Sequence, residues 1–238
     1  MNTITRTAVS IALYGIACGL PQIAAAADAD DGAASVRTAA AAQGGFDTEL
    51  LALQREWAEA LYRTTDGKAR KSAFEALQGR ADELAERYPR RVEAVAWRGI
   101  VLSTFAGEVG GMSAMKYAKA ARKALHEAES IDPAALDGGI YASLGALYSK
   151  VPGGIIGFGD DDLAEGYFRK ALTVDPGNID ANFFYGEFLL EHGDTDGAVE
   201  RLERALDAPA VEARPIFDAG RRAEIRSLLQ QASKSRRG

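Results

Sequence analysis

Few residues in this sequence could do chemistry, and their spacing argues against catalysis. His126 and His192 are the only histidines. Neither has a second ligand-type residue at a recognised metal spacing, so each reads as a helix-surface residue. His192, just before Gly193, falls at an expected helix carboxy-terminus, where partial positive charge suits the helix dipole. Asp160-Asp161-Asp162 resembles a cation site in composition only. It lacks the alternating oxygen ligands and distal glutamate of a calcium loop, and one aspartate capping a following helix accounts for the cluster. The four glycines of the run Val151 to Gly159 have no preceding strand and no following Lys-Ser or Lys-Thr, so they do not form a phosphate loop. Carboxylate pairs such as Glu127 and Glu129 are generic on helices. The reading is a non-enzyme with no cofactor and no metal.

The glycine-rich run is unusual in carrying Ile155, Ile156 and Phe158. A flexible insert has no need of them, so the loop either folds back onto the protein or presents an apolar surface, with Phe158 as a candidate contact.

The amino-terminus has one positive charge at Arg6, an apolar run from Ala8 to Leu20 and then Ala24 to Ala27. That order is the layout of a secretory signal peptide, and the run is too short to span a bilayer. Residues 1–27 are therefore expected to be removed, leaving a periplasmic chain without a transmembrane segment. The single cysteine, Cys18, lies within them. If the run Gly15-Ile16-Ala17-Cys18 is instead a lipoprotein processing site, Cys18 becomes a lipid anchor. Either form is acidic, since the whole chain has a formal charge of −6, which disfavours nucleic acid as a partner. The carboxy-terminal region opposes this trend: Arg214, Arg221, Arg222, Arg226, Lys234, Arg236 and Arg237 make it basic. It reads as a solvated helix face and frayed tail, or as a site for an anionic partner.

These features must be positioned by helices. Residues 28–45 are Ala, Asp, Gly and Gln with little to bury, and read as a flexible spacer. From Phe46 to Lys234 apolar residues recur at helical spacing with no alternating strand pattern, so residues 46–234 form one all-α domain, followed by a basic tail, 235–238. Breakers punctuate it at Asp66-Gly67, Tyr88-Pro89, Gly110-Gly111, Asp132-Pro133, Gly153-Gly154, Asp175-Pro176, His192-Gly193 and Ala208-Pro209.

The segments between breakers also repeat one another. With Ile179 as position one, Tyr185-Gly186 fall at positions seven and eight, Ala198 at twenty, Leu202 at twenty-four and Ala205 at twenty-seven. A preceding unit has Tyr141, Leu144-Gly145 and Tyr148, then Ala164, Phe168, Ala171 and Pro176, separated by an enlarged loop from Lys150 to Asp161. An earlier one has Gly99 and Leu102, then Ala121, Leu125, Ala128 and Pro133, with an enlargement expected around Gly107 to Met112. Leu50 to Tyr62 and Phe74 to Tyr88 form a degenerate hairpin. Residues 46–208 thus resemble the tetratricopeptide repeat family, whose 34-residue helical hairpins need small residues where helices meet. The run LDGGIYASLGALY, the loop VPGGIIGFGDDD and LAEGYFRKAL more closely resemble exported proteins grouped with the periplasmic T component of TRAP-type solute transporters.

The resemblance implies an α-superhelix, or solenoid, of about four hairpins with a capping helix from Pro215 to Ser233. Its concave groove is lined by the first helix of each hairpin. The family register then assigns Glu93, Ile100 and Ser103, Ser149 and Lys150, and Asp180, Phe183, Glu187 and Glu191 to a partner-binding face. The expected partner is a basic or amide-rich protein segment with an apolar anchor against Phe183 and Ile100, held by an adaptor in the cell envelope. The alternative is a transporter accessory, T-component-like, that meets a solute-binding subunit and holds or passes a small organic ligand.

Overall fold

The computed structural model describes residues 29–155 and 157–235. The expected signal peptide, Ile156 and the last three residues lie outside the described residues. The chain divides into a unit of residues 1–43 and a larger one of 44–238. In the first, the described part is helical, where the composition predicts a spacer; its alanines favour helix even with nothing large to bury. The repeats all lie in the second unit.

The described residues form nine α-helices and no strand. They are α1 (Ala29–Tyr62), α2 (Gly67–Arg87), α3 (Val92–Val109), α4 (Gly111–Ile131), α5 (Gly139–Lys150), α6 (Asp161–Val174), α7 (Ile179–Glu191), α8 (Thr195–Asp207) and α9 (Pro215–Ser235). A short 3-10 turn, Ala135–Gly138, precedes α5. Every breaker pair named above falls at a boundary or between helices. Several boundaries are fixed by side chains that accept hydrogen bonds from otherwise unsatisfied backbone donors. Asp66 accepts from the Ala69 amide at 2.7 Å, Asp160 from Leu163 at 2.9 Å, Asn178 from Ala181 at 2.8 Å and Asp194 from Gly197 at 2.9 Å.

Pairing follows the expected hairpins, α3 with α4, α5 with α6 and α7 with α8. In each hairpin one glycine lies against a large side chain of the second helix. A Cβ on Gly99 would stand 2.7 Å from Leu125 Cγ, on Gly145 2.6 Å from Phe168 Cδ1, and on Gly186 2.8 Å from Leu202 Cγ. Ala121, Ala164 and Ala198, one turn earlier on the second helices, are fully buried beneath the same glycines. Three hairpins therefore repeat one contact in one register, as close-packed solenoids require.

The two expected enlargements differ. Residues 151–160 do form a loop inside the α5–α6 hairpin. The extra residues around Gly107 to Met112 instead lengthen helices, since α3 and α4 meet at Gly110 and run 18 and 21 residues against 13 each for α7 and α8. Gly110 and Gly111 turn the chain with φ of 64° and 57°, a region costly for other residues.

The carboxy-terminal helix does more than cap the last repeat. It packs on α8 and α7, and it also reaches α1, so it covers part of the concave side. The Trp57 and Phe217 rings lie 6.2 Å apart, Tyr62 Oη donates to Glu224 at 3.0 Å, and Arg55 Nε donates to the Ala213 carbonyl at 3.1 Å. Gly220 faces the Tyr62 ring so closely that a Cβ would lie 2.4 Å from it.

Candidate functional site

Beneath this cover the lumen between α1, α3, α5, α7 and α9 holds two adjoining cavities, each partly open to solvent. The smaller, about 450 Å³, is bounded by Trp57, Trp97, Ile100, Ser143, Asp180, Arg214 and Phe217 among others. The larger, about 880 Å³, is more apolar and is bounded by Leu61, Met112, Met115, Leu147, Val151, Pro152 and Phe183, with Lys150 and Glu187. Trp57, Ser103, Thr104, Ala146, Phe184 and Arg221 belong to both and form their common wall.

That wall is held by satisfied polar groups. Trp57 Nε1 donates to Thr104 Oγ1 at 3.0 Å, and Thr104 donates in turn to the Ile100 carbonyl at 3.0 Å. Arg221 is only 5 % exposed. Its guanidinium donates to Asp180 and Glu224, each at 2.8 Å, and lies over Phe183 at 4.2 Å and Phe184 at 4.9 Å. Burial pushes the Arg221 pKa down, but Asp180, Tyr62 and Glu224 together hold it above its ordinary value. Burial pushes the Tyr62 phenol well up, against the pull of Arg221.

The register places six of the expected contact residues on the lumen. Ile100, Ser103 and Asp180 line the smaller cavity, and Ser103, Lys150, Phe183 and Glu187 the larger. Asp180 is already engaged by Arg221, while Lys150 bridges Glu187 at 3.2 Å and Glu191. Glu191 thus stands beside the cavity without lining it. Three residues lie off the lumen. Glu93 pairs with Arg91 at 3.2 Å, and Ser149 Oγ donates to the Ala146 carbonyl at 2.9 Å. Phe158 packs edge-on to Tyr148 at 5.6 Å beneath the Arg122 guanidinium, 4.1 Å from its ring. The loop therefore folds back on its own repeat, tied by Gly159 N to the Pro152 carbonyl and Asp160 N to the Tyr148 carbonyl.

The residues missed were Trp57, Trp97, Arg214, Phe217 and Arg221. Trp57, Arg214 and the α9 residues Phe217 and Arg221 lie outside the clear repeat units, where the register assigns no face. The signal that marked them was composition: they include both tryptophans and the heart of the basic carboxy-terminal cluster.

A strained turn borders the smaller cavity. Leu136 and Asp137 adopt φ of 58° and 52°, followed by Gly138 at 83°. Such conformations cost non-glycine residues about 1–3 kcal/mol each, and the Asn178 amide donating to the Asp137 carbonyl at 2.9 Å holds the turn.

His192 pairs with Asp161 at 3.2 Å and with the Phe188 carbonyl at 2.8 Å; the carbonyl, then Asp161, raises its pKa. His126 lies between Glu129 and Tyr148. Neither touches the lumen.

A family model for the tetratricopeptide repeat matches residues 156–214, which span α6 to α8. No curated protein matches the chain. Among solved structures it is similar to a thermophilic TPR protein from Thermus thermophilus, at 18% identity over 82% of this chain and 96% of that one, with a TM-score of 0.52. It is also similar to MamA, at 16% identity over 79% of this chain and 92% of that one, with a TM-score of 0.40. The fold is an all-α solenoid of TPR-like hairpins. What distinguishes this TPR-like chain within its own geometry is that α9 lies across the concave side, the face by which such solenoids offer a groove to a protein segment.

Proposed function

We propose that this chain is a non-catalytic TPR scaffold of the cell envelope that holds a segment of a partner protein in the larger cavity. The carrying observation is the 880 Å³ chamber itself. Three first helices meet there, and its apolar lining includes Met115, with Met112 exposed at the rim, side chains that adapt to varied guests. Because Asp180, Glu187 and Glu191 already have cationic partners, the segment's apolar anchor against Phe183 supplies more of the affinity than its charge does. Export is supported by the charge, apolar and small-residue order of residues 1–27. Among the described residues no helix is long and apolar enough to cross a membrane.

A photo-crosslinking residue placed at Met115, beside the chamber, should trap one discrete partner in cells that naturally make the protein. The same residue at exposed Lys119 should trap none. Equal adducts from both positions, or none from Met115, would contradict the proposal.

The cover that α9 lays over part of the concave side favours a second reading, in which the lumen holds a small organic molecule for a transporter accessory of the T-component kind. The smaller cavity, at about 450 Å³, has the size of an ordinary small-ligand pocket.

A further inference from the structure

From Gly111 to His126, α4 carries Lys116, Lys119, Arg122 and Lys123 and no carboxylate, in a chain whose formal charge is −6. Lys116, Lys119 and Lys123 recur at helical spacing on one exposed face, with Met112 one turn before Lys116. Met112 is 98% exposed. None of the three lysines has an ion-pair partner among the described residues. Elsewhere, Arg70, Arg80, Arg87, Arg98, Arg169 and Arg222 each face a carboxylate.

The glycine-rich loop is seated beside this stripe. Val151 and Pro152 at its base border the larger cavity together with Met112, and Phe158 lies under the Arg122 guanidinium at 4.1 Å. Its tip holds Ile155 fully in solvent. Of the acidic residues that follow, Asp160 is engaged in capping α6 and Asp161 pairs with His192 at 3.2 Å. Asp162 lies in the first turn of α6, where the helix dipole offsets its charge. These carboxylates leave the α4 lysines unmatched.

Two features define the partner. A row of lysines without carboxylates calls for an anionic surface. Met112 follows Gly110-Gly111 and Ile155 follows Gly153-Gly154, so each is a single projecting apolar side chain and not part of a packed face. An acidic protein would match the lysines but has no use for isolated apolar tips, whereas the boundary between headgroups and acyl chains accepts both.

We infer that the α4 face and the loop tip dock on the surface of an anionic phospholipid bilayer. Lys116, Lys119 and Lys123 lie among the phosphates, and Met112 and Ile155 are immersed at the headgroup–acyl boundary. Each such lysine contributes about a fivefold gain in binding. The contact is separate from the lumen and holds whichever guest the lumen takes.

An environment-sensitive fluorophore on a single cysteine locates the contact, in the full chain carrying Cys18→Ala. Attached at Met112→Cys or Ile155→Cys, it should brighten and shift to the blue with vesicles of phosphatidylglycerol and phosphatidylcholine in equal parts. Pure phosphatidylcholine vesicles should leave it unchanged, and neither vesicle should affect it at Glu203→Cys, exposed on α8. Joint replacement of the stripe by Lys116→Gln, Lys119→Gln and Lys123→Gln should weaken the vesicle titration by about tenfold or more. Lys68→Gln with Lys71→Gln, exposed on α2, should leave it within about twofold. Silent labels at both Met112→Cys and Ile155→Cys would overturn the inference, whether or not the chain sediments with the vesicles. An equal response to phosphatidylcholine alone, or an unchanged titration of the triple variant, would overturn it too. An equal response to soluble poly-glutamate in place of vesicles would overturn it in favour of an acidic protein.

Discussion

The Arg221 guanidinium lies 2.8 Å from Asp180 Oδ1 inside the lumen, so the carboxy-terminal helix supplies the cation that the concave face of α7 was expected to take from a partner. Arg221 is nearly inaccessible while the Asp180 side chain keeps 32% of its exposure, so the pair is only partly screened. Arg221→Met should therefore destabilise the fold by about 1–3 kcal/mol, below the range for a fully buried pair whose partner is left unmatched. Adding Asp180→Asn should recover part of the loss. Urea denaturation of the two single variants and the double variant measures the coupling; strictly additive effects would show that the pair contributes nothing.

Two glycines test the packing account in opposite directions. Gly186→Ala places a Cβ 2.8 Å from Leu202 Cγ and should cost about 1–3 kcal/mol. Gly166 is exposed within α6 with nothing within 4 Å of a built Cβ, so Gly166→Ala should stabilise by about 0.5–1 kcal/mol. Thermal melting should shift down for the first and up for the second.

Much of this packing was legible beforehand. The breakers lie at helix boundaries because Pro, Gly and Asp act locally, and Gly99, Gly145 and Gly186 set the repeat register because each hairpin reuses one close approach. The cover by α9 was not legible. Trp57 and Phe217 are 160 residues apart in sequence, and nothing local in either says that α9 crosses the concave side. The residues at Gly107 to Met112 were misread as a loop because two glycines signal a turn without saying how short it is. Phe158 was legible as an ordered residue but not as one turned away from the lumen.

The loop gives a matched pair of variants. Phe158 packs between Tyr148 and Arg122, whereas Ile155 is fully exposed at the tip. Phe158→Ala should cost about 1–3 kcal/mol, while Ile155→Ser should stay within about 0.5 kcal/mol of the parent. Denaturant midpoints decide the matter, and equal effects would mean that the loop does not fold back as described.

His192 supplies a pH dependence. Its folded-state pKa is raised above the ordinary 6.5, first by the Phe188 carbonyl and then by Asp161. A raised value means that the protonated form is favoured by folding, so its stabilisation is fully present below about pH 6.5 and is lost as pH rises through the folded-state value. The stability difference between the parent and His192→Gln should therefore be larger at pH 5.5 than at pH 8.5. A difference that grows with pH would reverse the assignment.

The central claim is that α9 packs against α1 and so covers part of the concave groove. Spin labels at Glu59 and Glu212, exposed residues that border the same small surface hollow between α1 and the start of α9, report on it in a Cys18→Ala background that removes the one native cysteine. Pulsed electron paramagnetic resonance should return a single short, narrow distance between them. A long or broad distribution, with α9 standing clear of α1, would contradict the covered lumen and every function assigned to it.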